Sequence, residues 1–281
     1  MSLRYGYVTN GLGDHRLPEA LHLLAEAGYE GVALTLDHVH LDPYARDLDL
    51  AIGDLRDLLA TLDLDLVIET GGRFVLDPRR KHHPSLLSSG RERRIDFLVR
   101  AIDIAADAGA PVVSMWSGTL PDDVDREAGW QRLLAGCDLV LAHAADRGVT
   151  IGFEPEPGML VETLDDYEAL GRALGRPAGL GLTLDLGHCV CVEDAPVDEC
   201  VRRFARRLVH VHADDMRHGV HEHLMFGDGE LDTGAALGAL REAGYAGLVA
   251  VELSRHSHAA HEVVPAAIAA LRAHDREGAL T

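Results

Sequence analysis

Residues 26–36 read EAGYEGVALTL, and residues 242–252 read EAGYAGLVAVE. In both stretches a helical pattern ends, a glycine follows, and a run of mostly aliphatic residues begins. Gly28 and Gly244 suit the left-handed conformation that closes a helix, which other residues adopt only at a cost. The sequence therefore repeats a junction in which a helix leads into a strand.

The same alternation runs about eight times along the chain, without a linker or a low-complexity break. The expected strands are residues 4–8, 31–36, 64–69, 111–116, 150–154, 181–185, 208–212 and 248–252. The expected helices are residues 17–27, 48–62, 91–108, 125–147, 164–174, 197–206, 233–243 and 263–274. Eight such units predict an α/β fold, a closed (β/α)8 TIM barrel that forms a single domain over residues 1–281. A doubly wound sheet is the alternative, but no G-x-G-x-x-G follows any strand.

Several connections that follow strands are long, whereas most of those that follow helices are short. The long ones are residues 70–90, 117–124, 186–196, 213–232 and 254–262. In a barrel the loops after the strands build the catalytic face. The sequence therefore predicts that the chemistry lies at the carboxyl ends of the strands.

Composition narrows the class of function. Hydrophobic residues make up 47% of the 281, but no apolar run approaches the roughly 20 residues that a membrane span needs. The first ten residues, MSLRYGYVTN, carry no apolar signal region, so we expect a cytoplasmic protein. A net charge of −20 argues against nucleic acid as a partner. The only lysine, Lys81, lies in the polar run RRKHH, which disfavours Schiff-base chemistry.

Four consecutive strands in the second half of the chain each end in a side chain that can bind a metal. These residues are Glu154, Asp185, His212 and Glu252. Any one of the carboxylates could instead cap a helix or pair with an arginine. Three carboxylates that converge on one rim repel each other, which a cation would offset. The pattern favours one divalent ion, with Mn²⁺ as first choice and Mg²⁺, Co²⁺ or Zn²⁺ as alternatives.

The segments around these residues resemble the xylose-isomerase-like TIM-barrel superfamily, which includes sugar isomerases and epimerases. The matching segments are FEP at 153–155, LDLGH at 184–188, HVHADD at 210–215, GDGELD at 227–232 and VE at 251–252. The resemblance implies that Glu154, Asp185, His212 and Glu252 bind the metal. It also implies that His188 and Arg217 contact substrate oxygens, and it suggests a homo-oligomer.

The chain departs from the family pattern in two places. Asp214 stands where H-x-H-x-K-D has its lysine. The histidines that the endonuclease branch carries after strands three and four are replaced by GG at 71–72 and WSG at 116–118. His188, His221 and His223 could hold a second metal ion, or they could hydrogen-bond substrate hydroxyls or each other.

The four-ligand rim suggests a reaction. A divalent ion that polarises a carbonyl and the adjacent hydroxyl eases removal of the proton between them. Glu154 and Glu252 could then act as acid and base on two faces of an enediolate. The expected activity is isomerisation or epimerisation of a sugar, a keto-sugar or a polyol-derived ketone. The alternatives are an inosose-dehydratase-like lyase, an endonuclease-like phosphodiesterase, and a metabolite-binding barrel without turnover.

Further candidates for substrate contact lie on the same predicted face. Trp116 could stack on a sugar ring or pack in the core. Glu156 could be a helper acid or a solvated loop charge. The basic stretch RFVLDPRRKHH at 73–83 could be a lid that clamps a phosphate or carboxylate of an anionic substrate, with Arg80 as a candidate contact, or a surface loop that pairs with nearby acids.

Overall fold

In the computed structural model, which describes residues 2–277, eight parallel strands form the sheet. They are β1 (Arg4–Val8), β2 (Gly31–Thr35), β3 (Asp65–Glu69), β4 (Val112–Met115), β5 (Thr150–Phe153), β6 (Leu180–Asp185), β7 (Leu208–Ala213) and β10 (Leu248–Val251). They close into a barrel in the order β1-β10-β7-β6-β5-β4-β3-β2. The predicted TIM barrel is therefore confirmed.

Helices cover the outside of the barrel. They are α1 (Leu17–Ala27), α2 (Leu48–Leu62), α3 (Glu92–Ala108), α4 (Arg126–Arg147), α5 (Leu164–Ala173), α6 (Leu186–Val192), α7 (Val197–Phe204), α8 (Thr233–Glu242) and α9 (Ala260–Glu277). Short 3₁₀ turns lie at Thr9–Leu12 and Ser257–Ala259. None of the helices within residues 2–277 combines the length and the apolar composition that crossing a bilayer requires.

The glycine junctions behave as the sequence predicts. Gly28 has a φ of 88° and Gly148 a φ of 71°, and the N–H group of each bonds a carbonyl in the last turn of the preceding helix. Gly244 has a φ of 68°. These positive angles favour glycine. Each helix therefore stops where the chain must turn back into the barrel.

A helix and a two-stranded ribbon were not predicted. Helix α6 occupies the first part of a predicted loop, because Asp185 caps it by accepting a hydrogen bond from the His188 N–H at 2.8 Å. A two-stranded antiparallel ribbon of β8 (Asp215–Arg217) and β9 (Val220–Leu224) fills another predicted loop. Both lie on the face where the barrel strands end.

The interior of the barrel is filled by small apolar side chains from different strands. This cluster contains Val8, Ala33, Val67, Val112, Leu248 and Ala250, all at most 6% exposed. A larger cluster lies between the strands and the helices. The polar residues at the strand ends thus stand above a buried apolar layer, where electrostatic interactions are stronger than in water.

Asp215 organises the loop that follows the ribbon. It is fully buried, and its carboxylate accepts hydrogen bonds from the N–H groups of Gly227, Gly229 and Leu231 at 2.8–2.9 Å. A Cβ on Gly229 would lie 2.2 Å from Asp215 Oδ1, so the close approach requires glycine there. The GDGELD motif therefore serves to wrap a loop around a buried carboxylate.

We expect Asp215→Ala to lower the free energy of unfolding by about 3 kcal/mol, because it leaves three backbone donors without their charged acceptor. Asp228→Ala, with an exposed side chain in the same loop, should change it by less than about 0.5 kcal/mol. Urea denaturation followed by circular dichroism measures both. Equal stability of the two variants would contradict the role assigned to Asp215.

Candidate metal centre and active site

A cavity of about 420 Å³ opens at the carboxyl ends of the barrel strands. Its walls include Glu69 at the end of β3, Trp116 after β4, Glu154 after β5, His212 in β7 and Glu252 after β10. Parallel strands in a closed barrel present their ends at one rim. Residues far apart in sequence therefore share one pocket.

The structure brings the four predicted metal ligands together. One ligand atom from each of Glu154, Asp185, His212 and Glu252 lies within 4.8 Å of the others. Nδ1 of His212 is 3.1 Å from an oxygen of Glu154, 3.1 Å from one of Glu252 and 3.9 Å from Asp185 Oδ2. Asn10, which the sequence did not single out, donates from Nδ2 to Glu252 Oε1 at 2.6 Å.

The donor set fits a divalent cation. Asp185 Oδ2 is buried and has no hydrogen-bond partner among residues 2–277, which is costly for a carboxylate oxygen. Burial opposes a charge on His212, but Glu69, Glu154 and Glu252 raise its pKa well above the usual value. A positive charge at the centre of the cluster would therefore stabilise its carboxylates. A divalent ion bound by three carboxylates and one imidazole would supply it.

The two candidate catalytic glutamates sit in different electrostatic surroundings. Burial raises the pKa of Glu154, although His212 works against this rise. Burial acts the same way on Glu252, but His212 and His223 outweigh it and hold the pKa of Glu252 well below its usual value. Two carboxyl groups whose pKa values are pushed apart can share acid and base roles.

Glu69 is a functional candidate that the sequence reasoning missed. Its Oε1 lies 3.0 Å from Nε2 of His212 and 3.2 Å from Nε2 of His210. A carboxylate can only accept, so Nε2 of His212 donates to Glu69, and Nδ1, which lies 3.1 Å from Glu154, is the nitrogen that would bind an ion held by the other three carboxylates. Such an outer carboxylate orients a metal-binding histidine. The missed signal is that β3, like β5, β6, β7 and β10, carries a metal-competent side chain within one residue of its carboxyl end.

A second cluster consists of His188, His221 and His223. Their ring centroids are 4.9–6.0 Å apart. Nδ1 of His188 donates to the Pro155 carbonyl at 3.1 Å, and Nε2 of His188 is buried without a hydrogen-bond partner in the described chain. Burial and the neighbouring histidines lower the pKa of His221 to about 4. Burial opposes a charge on His223, but Asp214 raises the pKa of His223 to about 10.

Three of the four residues expected to touch substrate line the cavity: Trp116, Glu156 and His188. Trp116 is 7% exposed, and the guanidinium carbon of Arg94 lies 4.7 Å from the centroid of its ring. Trp116 therefore lines the cavity and also packs in the protein interior. Arg217 is not among the residues that line the cavity. Its side chain is exposed and donates to the Asp228 carbonyl at 2.6 Å, so contact of Arg217 with substrate stays a prediction.

Some residues of the basic stretch 73–83 line the cavity, and others are exposed to solvent away from it. Arg73, Phe74, Lys81 and His82 line the cavity. Arg80 is exposed and does not reach the lining, so the candidate clamp residue chosen from sequence is not at the site. The sequence could not distinguish Arg80 from Lys81, because the conformation of a loop is set by tertiary contacts.

Known proteins resemble this chain along most of its length. The family model described as xylose isomerase-like TIM barrel matches residues 21–274. The rhizopine catabolism protein MocC of Rhizobium meliloti is 33% identical over 134 residues, which span 42% of this chain and 40% of that protein. The inosose dehydratase of Lacticaseibacillus casei is 26% identical over 289 residues, or 90% of each chain. The structure of D-allulose 3-epimerase from Methylomonas sp. in complex with D-allulose has a TM-score of 0.76 and 19% identity over 97% of both chains, a likeness of fold.

Proposed function

This chain belongs to the xylose isomerase-like TIM barrel family, and on that premise we propose that it is a divalent-metal-dependent isomerase or epimerase of a sugar, keto-sugar or polyol-derived ketone. The observation that carries the proposal is the convergence of Glu154, Asp185, His212 and Glu252, whose ligand atoms lie within 4.8 Å of one another and three of which line the cavity. The sugar-bound epimerase of the same fold supports a sugar-sized substrate. A cavity of about 420 Å³ lies in the range that holds small molecules.

A divalent ion held by these four residues would act as a Lewis acid toward a carbonyl and the hydroxyl beside it. The proton transfers fall to Glu154 and Glu252. Their strands, β5 and β10, are separated in the barrel by β6 and β7, so the two carboxylates approach a bound substrate from different sides. One removes a proton from carbon and the other returns one to the opposite face. Asn10 fixes one oxygen of Glu252 by hydrogen bonding.

Turnover of a substrate panel tests this proposal. Protein loaded with Mn²⁺ is incubated with ketoses, aldoses and inososes, and the products are separated and weighed by mass spectrometry. An isomerase or epimerase gives a product of unchanged mass, and activity disappears with a chelator and returns with Mn²⁺. No turnover across the panel would contradict an enzymatic role.

A lyase is the second candidate, because the inosose dehydratase of Lacticaseibacillus casei matches 90% of this chain. It would use the same metal site but expel a hydroxyl group. A product lighter by one water distinguishes it from an isomerase in the same experiment.

The histidine cluster could bind either a second metal ion or substrate hydroxyls, and the number of metal ions bound per chain distinguishes the two roles. If His188, His221 and His223 hold a second ion, elemental analysis of saturated protein gives two ions per chain, and His221→Ala gives one. If the cluster binds substrate hydroxyls, both proteins hold one ion and His221→Ala raises the KM. The neutral state of His221, whose pKa is lowered to about 4, suits either use.

A further inference from the structure

The mouth of the cavity carries cations on a strongly acidic protein. The net charge is −20, yet the only lysine of the chain, Lys81, lines the cavity together with Arg73. Within residues 2–277, neither side chain has a carboxylate oxygen within 4.0 Å. Arg255, on the same wall, does pair with an acid, Glu222, at 2.6 Å. Among the lysine and arginine side chains that line the cavity, Lys81 and Arg73 are therefore the two without a carboxylate in contact within the described residues, and both are exposed to solvent.

The segment that carries these cations is anchored over the cavity. Buried Arg94 donates to the carbonyls of Thr70, His82 and Pro84 at 3.0–3.3 Å. Arg73 itself spans to the loop after β10, where its Nη2 donates to the Ser254 carbonyl at 3.1 Å. A guanidinium has five N–H donors, so this contact leaves Arg73 with donors for a ligand. Hydrogen bonds to carbonyls thus hold the backbone around Lys81 and the side chain of Arg73, without a carboxylate.

Charge is distributed unevenly between floor and mouth. The carboxylates of Glu69, Glu154 and Glu252 gather at the floor of the cavity with Asp185 close behind them, and the histidines together with a bound divalent ion would balance their charge. A neutral sugar would leave these exposed cations to water and, for Arg73, to the Ser254 carbonyl. A molecule with a carbonyl at one end and an anionic group at the other satisfies both regions.

We propose that the substrate carries an anionic group, a carboxylate or a phosphate, which Lys81 and Arg73 bind at the mouth of the cavity while its carbonyl end faces the four-ligand floor. This inference rests on the proposed function for the identity of the floor. The anion site itself is defined by the two cations and can be tested without turnover.

Calorimetric binding of three matched probes to Mn²⁺-loaded protein tests the inference: D-fructose, D-fructose 6-phosphate and D-fructuronate. We expect at least one anionic probe to bind about 25-fold more tightly than D-fructose. Lys81→Gln and Arg73→Gln should each reduce that preference about fivefold, in line with partly exposed charge pairs, and the double variant should abolish it. The stronger anionic probe identifies phosphate or carboxylate as the natural group.

Arg80→Gln is the matched control, since it removes a neighbouring positive charge that does not line the cavity. It should leave the preference unchanged. If neither anionic probe binds more tightly than D-fructose, or if Arg80→Gln reduces the preference as much as Lys81→Gln, the inference is wrong. Turnover of D-fructose without anion preference would overturn the anion site alone. Anion preference without turnover of any probe would support the site and count against the proposed activity.

Discussion

Glu154→Gln and Glu252→Gln should each abolish incorporation of solvent deuterium into substrate carbon, while the barrel remains folded. Glutamine keeps the shape of the side chain but cannot accept or return a proton at neutral pH. General acid–base catalysis typically contributes 10²–10⁴-fold, so turnover should fall by about that factor. Each variant also removes one of three converging carboxylates, which relieves repulsion in the metal-free protein. The fold should therefore not suffer.

The measurement is mass spectrometry of substrate and product after incubation in D₂O at saturating Mn²⁺, with circular dichroism to verify folding. Saturating metal separates the loss of proton transfer from a weaker metal affinity. Asp228→Asn removes one exposed carboxylate on the same face and should exchange deuterium at the normal rate. Normal exchange in either glutamine variant would contradict the assignment of two catalytic glutamates.

Glu69→Ala should weaken Mn²⁺ binding by about 10- to 100-fold, as the loss of outer carboxylates does at other metal-bound histidines. The carboxylate lies 3.0 Å from Nε2 of His212 and directs Nδ1 of that ring toward Glu154 and Glu252. Without Glu69 the ring can turn or protonate on the wrong nitrogen. Glu69→Gln retains an acceptor for Nε2 and should lose less affinity than the alanine variant.

Calorimetric titration of metal-free protein with Mn²⁺ gives these affinities, and ¹⁵N spectra of the histidines report the tautomer of His212. Ser114→Ala is the matched control, because Ser114 pairs with Glu69 in the adjacent strand and is equally buried. Its metal affinity should equal that of the wild type. Unchanged affinity in Glu69→Ala, with the His212 tautomer preserved, would show that Glu69 does not position the ligand.

The fold could be predicted because its signals are local. The glycines at 28 and 244 end helices, and the apolar runs after them form strands, as expected. Asp185 ends β6 and His212 lies in β7, while Glu154 and Glu252 each follow the last strand residue by one. Once the strands are parallel and closed, residues in phase at their ends must meet. The grouping of these four side chains follows from sequence and barrel geometry together.

Other parts of the site depend on contacts between distant segments. Glu69 meets His212 across the barrel, from strands that are not neighbours, so only closure reveals the pair. Arg217 lies in β8 of a ribbon within a predicted loop, where its exposed side chain bonds the Asp228 carbonyl. The position of Lys81 depends on carbonyls gathered by buried Arg94. No periodic pattern encodes such loop conformations.

The sequence by itself therefore determined the barrel, its catalytic face and the candidate ligands on that face. Residues that are close together in sequence decide where each helix ends, where each strand runs and which side chains stand at the strand ends. Only the tertiary structure decided which additional groups face the cavity, namely Glu69, Asn10, Arg73 and Lys81. Their placement arises from hydrogen bonds between segments up to 242 residues apart. The burial and charge of the side chains that meet in the cavity, rather than any local motif, determine what the site can bind.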